Sequence, residues 1–217
     1  MGGETSRANR MGNVGALLQN PAIWRGDRCA RQLPGISTGF PALDAILPGG
    51  GWPQGALTEI LFEQEGIGEL QLVMPALARL SAAGHGLAWI APPHVPYAPA
   101  LTAFHIRLPR ILIVRPKEDR DRLWAAEQAL RCGACKGVLA WADGEDGQRL
   151  RRLQLAAGEG GGWGILYRPL HAADMPSPAV LRLSVERAGG GLKVHVLKRR
   201  GSAVAPIHLD LSSRVPN

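Results

Sequence analysis

The stretch TEILFEQEGIGELQLVMPALARL, residues 58–80, has the order strand, loop, helix on which nucleotide-binding domains are built. Residues 58–62 read as a short buried strand, 63–68 form a loop with two glycines, and 69–80 place apolar side chains at helical spacing. A phosphate-binding loop reads G-x-x-x-x-G-K-[ST]. Its backbone N–H groups cradle phosphates, its lysine reaches the β- and γ-phosphates and its hydroxyl holds Mg²⁺. Here Gly68 keeps the second glycine, but Glu63 stands for the first, Glu69 for the lysine and Leu70 for the hydroxyl. Glu63, Glu65 and Glu69 are expected to crowd the N-terminus of the helix, where the macrodipole attracts an anion and a nucleotide would bring its own charge. The stretch predicts a nucleotide-binding architecture stripped of its phosphate chemistry, with no cofactor.

Outward from this stretch, strands and helices alternate. A helix is expected over 69–83, a strand over 86–92, a helical stretch near 97–104 and a strand over 111–114. A helix over 119–133, a strand over 136–142, a helix over 148–160 and a strand over 163–169 follow. This is the pattern of an α/β fold with a mainly parallel central sheet flanked by helices. From residue 179 the segment AVLRLSVERAGGGLKVHVLKRRG alternates apolar with polar around three glycines, which predicts a C-terminal antiparallel hairpin. At the other end, residues 1–12 are polar and Gly-rich, and Met11 is an alternative start. They are expected to form a disordered tail. Residues 13–34 form an amphipathic arm carrying Leu17, Leu18, Ile23 and Trp24, which either packs on its own domain or straps a neighbour. Residues 35–217 make up the core domain.

A chain of 217 residues with 46% hydrophobic content is of the size of one such domain. Its net charge of +7 and pI near 10.0 suit an acidic partner such as nucleic acid, without bearing on the fold. It has no apolar run of about 18 residues and no secretory signal pattern, so a cytoplasmic protein without a membrane partner is expected. Cys29, Cys132 and Cys135 are too few and too odd in number for a disulfide framework. Cys132 and Cys135 have C-x-x-C spacing, but no second Cys or His pair stands where a zinc site needs one. They read as two ordinary thiols at a helix end, and no metal is expected.

The segment GISTGFPALDAILPGGGWPQGALTEI, residues 35–60, closely resembles the lead into the ATPase core of the RecA recombinases. Ile36-Ser37-Thr38-Gly39, Leu43-Asp44, the glycines 49–51, Pro53, Gly55 and Glu59-Ile60 keep order and spacing, and the similarity continues by pattern to about residue 211. The resemblance implies a RecA-like fold. It also implies which functional positions are lost. In RecA-like ATPases an acid that activates water follows the second core strand, where this chain has Ala91, Pro92 and Pro93. A carboxylate that holds Mg²⁺ through water ends a later strand, where Trp141 stands, with Asp143 two residues on. Phosphate positioning, metal binding and water activation would all be missing, so no ATPase, and no enzyme, is expected. The connection LHAADMPSP, residues 170–178, is too short and too weakly charged for the mobile DNA-binding loop of a recombinase. Among RecA relatives, the degenerate loop, the segment ALLQNPAIWRG and the shortened end resemble the translesion DNA synthesis-associated ImuA family. That resemblance implies a non-catalytic adaptor of SOS mutagenesis which binds a Y-family polymerase-like protein and, indirectly, an error-prone C-family DNA polymerase. RecA, single-stranded DNA and a second copy of the chain are further candidate partners. A SulA-like cell-division inhibitor and a divergent RecA-like ATPase are the alternatives.

Basic residues gather at 107–122, at Arg149, Arg151 and Arg152, and at Lys198, Arg199 and Arg200. Charge runs are usually solvated faces. The 198–200 triplet is the best DNA candidate, since it ends a hairpin strand and could project its charges together at a phosphate backbone. Trp89 and Trp141 fall in core strands, and burial accounts for them. Trp24 and Trp52 fall in the arm and in a loop and are expected as anchors for a partner. The six histidines have no ligand spacing and no nucleophile beside them.

Overall fold

Four consecutive strands of the sheet carry almost no polar side chains, as expected of parallel strands covered on both faces. The computed structural model describes residues 34–118, 120–143, 147–199 and 204–211. After a short strand β1 (Gly35–Ile36) come helix α1 (Pro41–Ile46) and strand β2 (Trp52–Pro53), which pairs back on β1. The sheet proper begins with β3 (Ala56–Phe62), buried along its whole length. It continues through α2 (Met74–Ala82), β4 (Gly86–Ile90), α3 (Ala98–Ala103) and β5 (Ile111–Val114). Helix α4 (Arg120–Arg131), β6 (Cys135–Trp141), α5 (Gly147–Gly160) and β7 (Trp163–Pro169) complete the alternating part. Strands β8 (Leu181–Ala188), β9 (Gly191–Lys198) and β10 (Ile207–Asp210) finish the chain.

Among the described residues the main sheet has eight strands in the order β10-β9-β8-β3-β7-β6-β4-β5. The pairs from β8 to β5 are parallel, and β8, β9 and β10 are antiparallel. The expected α/β architecture with its C-terminal hairpin is the one observed. One core cluster lies on the α2 face and includes Leu77, Leu87, Leu139 and Ile165. The other lies under α4 and α5 and includes Leu123, Leu130, Leu150 and Leu153. Their i, i+3, i+7 spacing turns one stripe of each helix to the sheet. Helices α4 and α5 come so close that a Cβ on Gly160 would collide with the carbonyl of Leu130.

Three elements differ from the sequence reading. The first helix after β3 starts at Met74, not at residue 69, because the chain turns through residues 65–73 and Pro75 suits only the first turn of a helix. The third antiparallel strand, β10, is too short and too sparse in apolar residues for periodicity to reveal it; it forms by pairing with β9. Helix α1 likewise has only Leu43 buried, and its start is marked by Pro41. No helix among the described residues is long and apolar enough to cross a membrane.

Candidate functional site

The loop that leaves β3 turns at Gly66 and Gly68, both at positive φ (79° and 106°). Its backbone N–H groups point inward, as in an anion-binding nest. The anion is supplied by the loop itself. Glu69 is 6% exposed, and its carboxylate accepts the N–H of Gly66 on Oε1 at 3.2 Å and the N–H of Gly68 on Oε2 at 3.1 Å. The side chain expected at the lysine position thus satisfies two backbone donors of the loop. Glu69 does not sit at a helix N-terminus, since α2 starts five residues later. Leu70 packs against the core, while Glu63 and Glu65 are exposed, the latter 3.3 Å from His94.

Beneath this loop lies a row of aromatic rings contributed by four neighbouring strands. Phe62 of β3 and Tyr167 of β7 are 6.1 Å apart, Tyr167 and Trp141 of β6 stack at 5.0 Å, and Trp141 meets Trp89 of β4 at 6.1 Å. Burial pushes the Tyr167 phenol well above its usual range, and the charge of Glu69 adds to the shift. A cavity of about 590 Å³ opens at the carboxyl ends of these strands, lined by Glu63, Pro93, Arg115, Trp141, Asp143 and Arg168 among others. The structure therefore brings Glu63, Pro93 and Trp141, the positions expected to be degenerate, together around one opening. Ala91, on its rim, holds φ 51°, a left-handed conformation that a residue with a Cβ seldom adopts. Asp143 follows the end of β6 and lies 3.4 Å from His171, with both side chains exposed. Among the described residues no group of three or more His, Cys, Asp and Glu side chains is arranged to hold a metal ion.

Behind the cavity is a buried polar cluster that the sequence reading did not identify. Glu59, at 0% exposure on β3, accepts from Arg182 Nε at 2.7 Å, from Arg168 Nη1 at 3.3 Å and from Ser177 Oγ at 2.6 Å. Arg182 also donates to the carbonyls of Ala172, Ala173 and Met175. The cluster fixes the 170–178 connection from below. Its signal in the sequence is a carboxylate and a guanidinium inside the mostly apolar strands β3 and β7, with a second guanidinium, Arg182, in the alternating strand β8; their pairing follows from the register, which sets Glu59 beside Arg182 and Leu61 beside Arg168.

Trp52 is not a surface anchor. Pairing of β2 with β1 turns it inward, where it is 0% exposed and stacks on Trp163 at 5.0 Å. Lys198 and Arg199 do not project together. Lys198 Nζ donates to the carbonyl of Ser177 at 2.6 Å, and Arg199 Nη1 to that of Ile46 at 2.8 Å, so the two cations reach different segments. Neighbours along an extended chain point to opposite sides, which is the physical reason. Arg200 and the arm residues Leu17, Leu18, Ile23 and Trp24 lie outside the described residues. Cys132 is exposed at the end of α4, and Cys135 is buried at the start of β6.

No protein-family model matches the chain. It is 30% identical over 138 residues to the protein ImuA of Caulobacter vibrioides, a match that covers 61% of this chain and 57% of that one. It is 32% identical over 114 residues to RecA of Rubrobacter xylanophilus, across 52% of this chain and 33% of RecA. A third relative is the cell division inhibitor SulA of Edwardsiella piscicida, 32% identical over 101 residues. Among solved structures, SulA from Pseudomonas aeruginosa is 26% identical over 52% of this chain and 97% of SulA, with a TM-score of 0.44. The chain spans little more than half the length of the ImuA relatives it matches, and in sequence it is ImuA-like and RecA-related.

Proposed function

We propose that this ImuA-like, RecA-related chain is a non-catalytic adaptor of error-prone translesion synthesis in the SOS response. Similarity to ImuA supports the pathway. The Glu69 carboxylate in its own loop supports the absence of ATP chemistry, because a phosphate entering there meets a negative charge and N–H groups already bonded. Without nucleotide turnover, the remaining use of the fold is to hold other proteins. The partners proposed are the Y-family polymerase-like protein of the same system and, through it, the C-family polymerase, with RecA and single-stranded DNA as further ligands.

Two measurements test the reading. Calorimetric titration with Mg-ATP is expected to show no binding at millimolar nucleotide; saturation in the micromolar range would overturn it. Glu69→Lys is expected to leave hydrolysis at the buffer level, since Leu70, Pro93 and Trp141 still supply neither metal ligand nor base. A second reading, division inhibition, is favoured by the SulA similarity. Pull-down with the polymerase-like protein against the division GTPase separates the two, and retention of the GTPase alone would replace the adaptor reading.

A further inference from the structure

The buried cluster behind the cavity is out of charge balance. Glu59 is its one carboxylate, and it faces two guanidinium groups, those of Arg168 and Arg182, which among the described residues have no other acidic partner. Arg182 is well satisfied, with a 2.7 Å contact to Glu59 and three backbone carbonyls. Arg168 is not. Its side chain is fully buried, its contact with Glu59 is 3.3 Å long, its Nη2 has only the Met175 sulfur at 3.9 Å, and its Nε has no partner among the described residues. One positive charge is left unmatched in a dry wall, where an anion is attracted far more strongly than in water.

Arg168 lines the cavity, and so does Tyr167, whose buried hydroxyl also lacks a partner among the described residues. Burial keeps that hydroxyl protonated, so it is a donor and not a competing anion. Phe62, Trp141 and four prolines make much of the remaining wall flat and apolar. The volume falls within the range of small-molecule sites, about 300–1,000 Å³. Glu63, Glu65 and Asp143 are also in the lining, all exposed, against Arg115 and Arg122. Three carboxylates on the solvent side disfavour a multiply charged phosphate, whereas a single negative charge matches the single surplus at Arg168. We propose that this cavity binds a compact aromatic monocarboxylate, its ring against Trp141 and its carboxylate turned to Arg168 and Tyr167. Neither donor atom is exposed to water, so the wall adjusts as the ligand enters. The ligand is not a nucleotide, since Glu69 already holds the loop donors, and the inference goes beyond the adaptor reading without resting on it.

Calorimetry of the full chain compares 1-naphthoate with 1-naphthamide, its neutral counterpart of the same shape. The acid is expected to bind at least about tenfold more tightly. Arg168→Met is expected to abolish that preference with the fold kept, because it leaves Glu59 matched to Arg182 alone. Should that variant fail to fold, Tyr167→Phe decides, with an expected loss of about threefold for the acid and none for the amide. Trp141→Ala is expected to weaken acid and amide alike. A tripeptide ending in phenylalanine, with its carboxyl free or amidated, identifies the source of the carboxylate. A free-acid peptide that binds more tightly than naphthoate assigns the site to a chain end, and one that binds more weakly assigns it to a free small acid. No heat from either naphthyl ligand, equal affinity of acid and amide, an undiminished preference in Arg168→Met, or displacement of naphthoate by micromolar inorganic phosphate or Mg-ATP would overturn the proposal.

Discussion

The charge of Glu69 acts on the buried phenol of Tyr167. Burial, then the Glu69 charge, raises the phenol's pKa above its ordinary value of 10.0. A group whose folded pKa is raised binds its proton more tightly when folded. Its contribution is fully present below the unfolded value near 10 and is lost as pH rises from there toward the folded value. Urea titrations at intervals from pH 9 upward are therefore expected to show stability falling above about pH 10, with a smaller fall in Tyr167→Phe. Equal slopes in the two proteins would show that this phenol is not the titrating group. The substitution of Glu69 for lysine is legible in the sequence. That its carboxylate folds back onto Gly66 and Gly68 is not, because the reach of one flexible side chain depends on the path of the loop around it.

At the scale of elements, the late start of α2 is set by the turns over residues 65–73 and by Pro75 in its first turn, while the 170–178 connection is held by side chains that bind its backbone groups outside regular structure. Arg182 ties down three carbonyls of that connection while Glu59 holds Arg182. Glu59→Gln would leave two guanidinium groups buried without a counter-charge, and a loss of roughly 3–5 kcal/mol is expected in urea unfolding. Replacing Glu59, Arg168 and Arg182 together by apolar residues of similar volume is expected to cost less than the single change. A single variant as stable as the parent would mean that the cluster does not hold the connection. The hairpin β8–β9 was visible in its alternation and glycines, whereas the contacts of Lys198 with Ser177 and of Arg199 with Ile46 join residues far apart in the chain. No local pattern encodes such pairs.

At the scale of the whole molecule, the charge of +7 bears on association and not on the fold, and the expectation attached to residues 13–34 is one about assembly. The segment lies outside the described residues. A free helix of about a dozen residues is marginal by itself. Burial of Leu18 and Trp24 would contribute roughly 2–3 kcal/mol each. Light scattering of the full chain and of one starting at Asp27, each with and without the polymerase-like protein, is expected to show a change in mass or in partner retention while the core stays folded. Identical behaviour would mean that the segment serves only its own domain. The sequence by itself determined the α/β order of elements, the hairpin and the presence of Glu69, Leu70 and Pro93 where the RecA resemblance expects a lysine, a hydroxyl and an acid, because hydrophobic period and residue type are local properties. Only the tertiary structure decided that Trp52 is buried, that Glu69 fills its own loop, that Glu59 gathers two arginines, and that β5 is the edge with open apolar residues. Those facts depend on which strand lies beside which, and strand order is set by packing between segments distant in the chain.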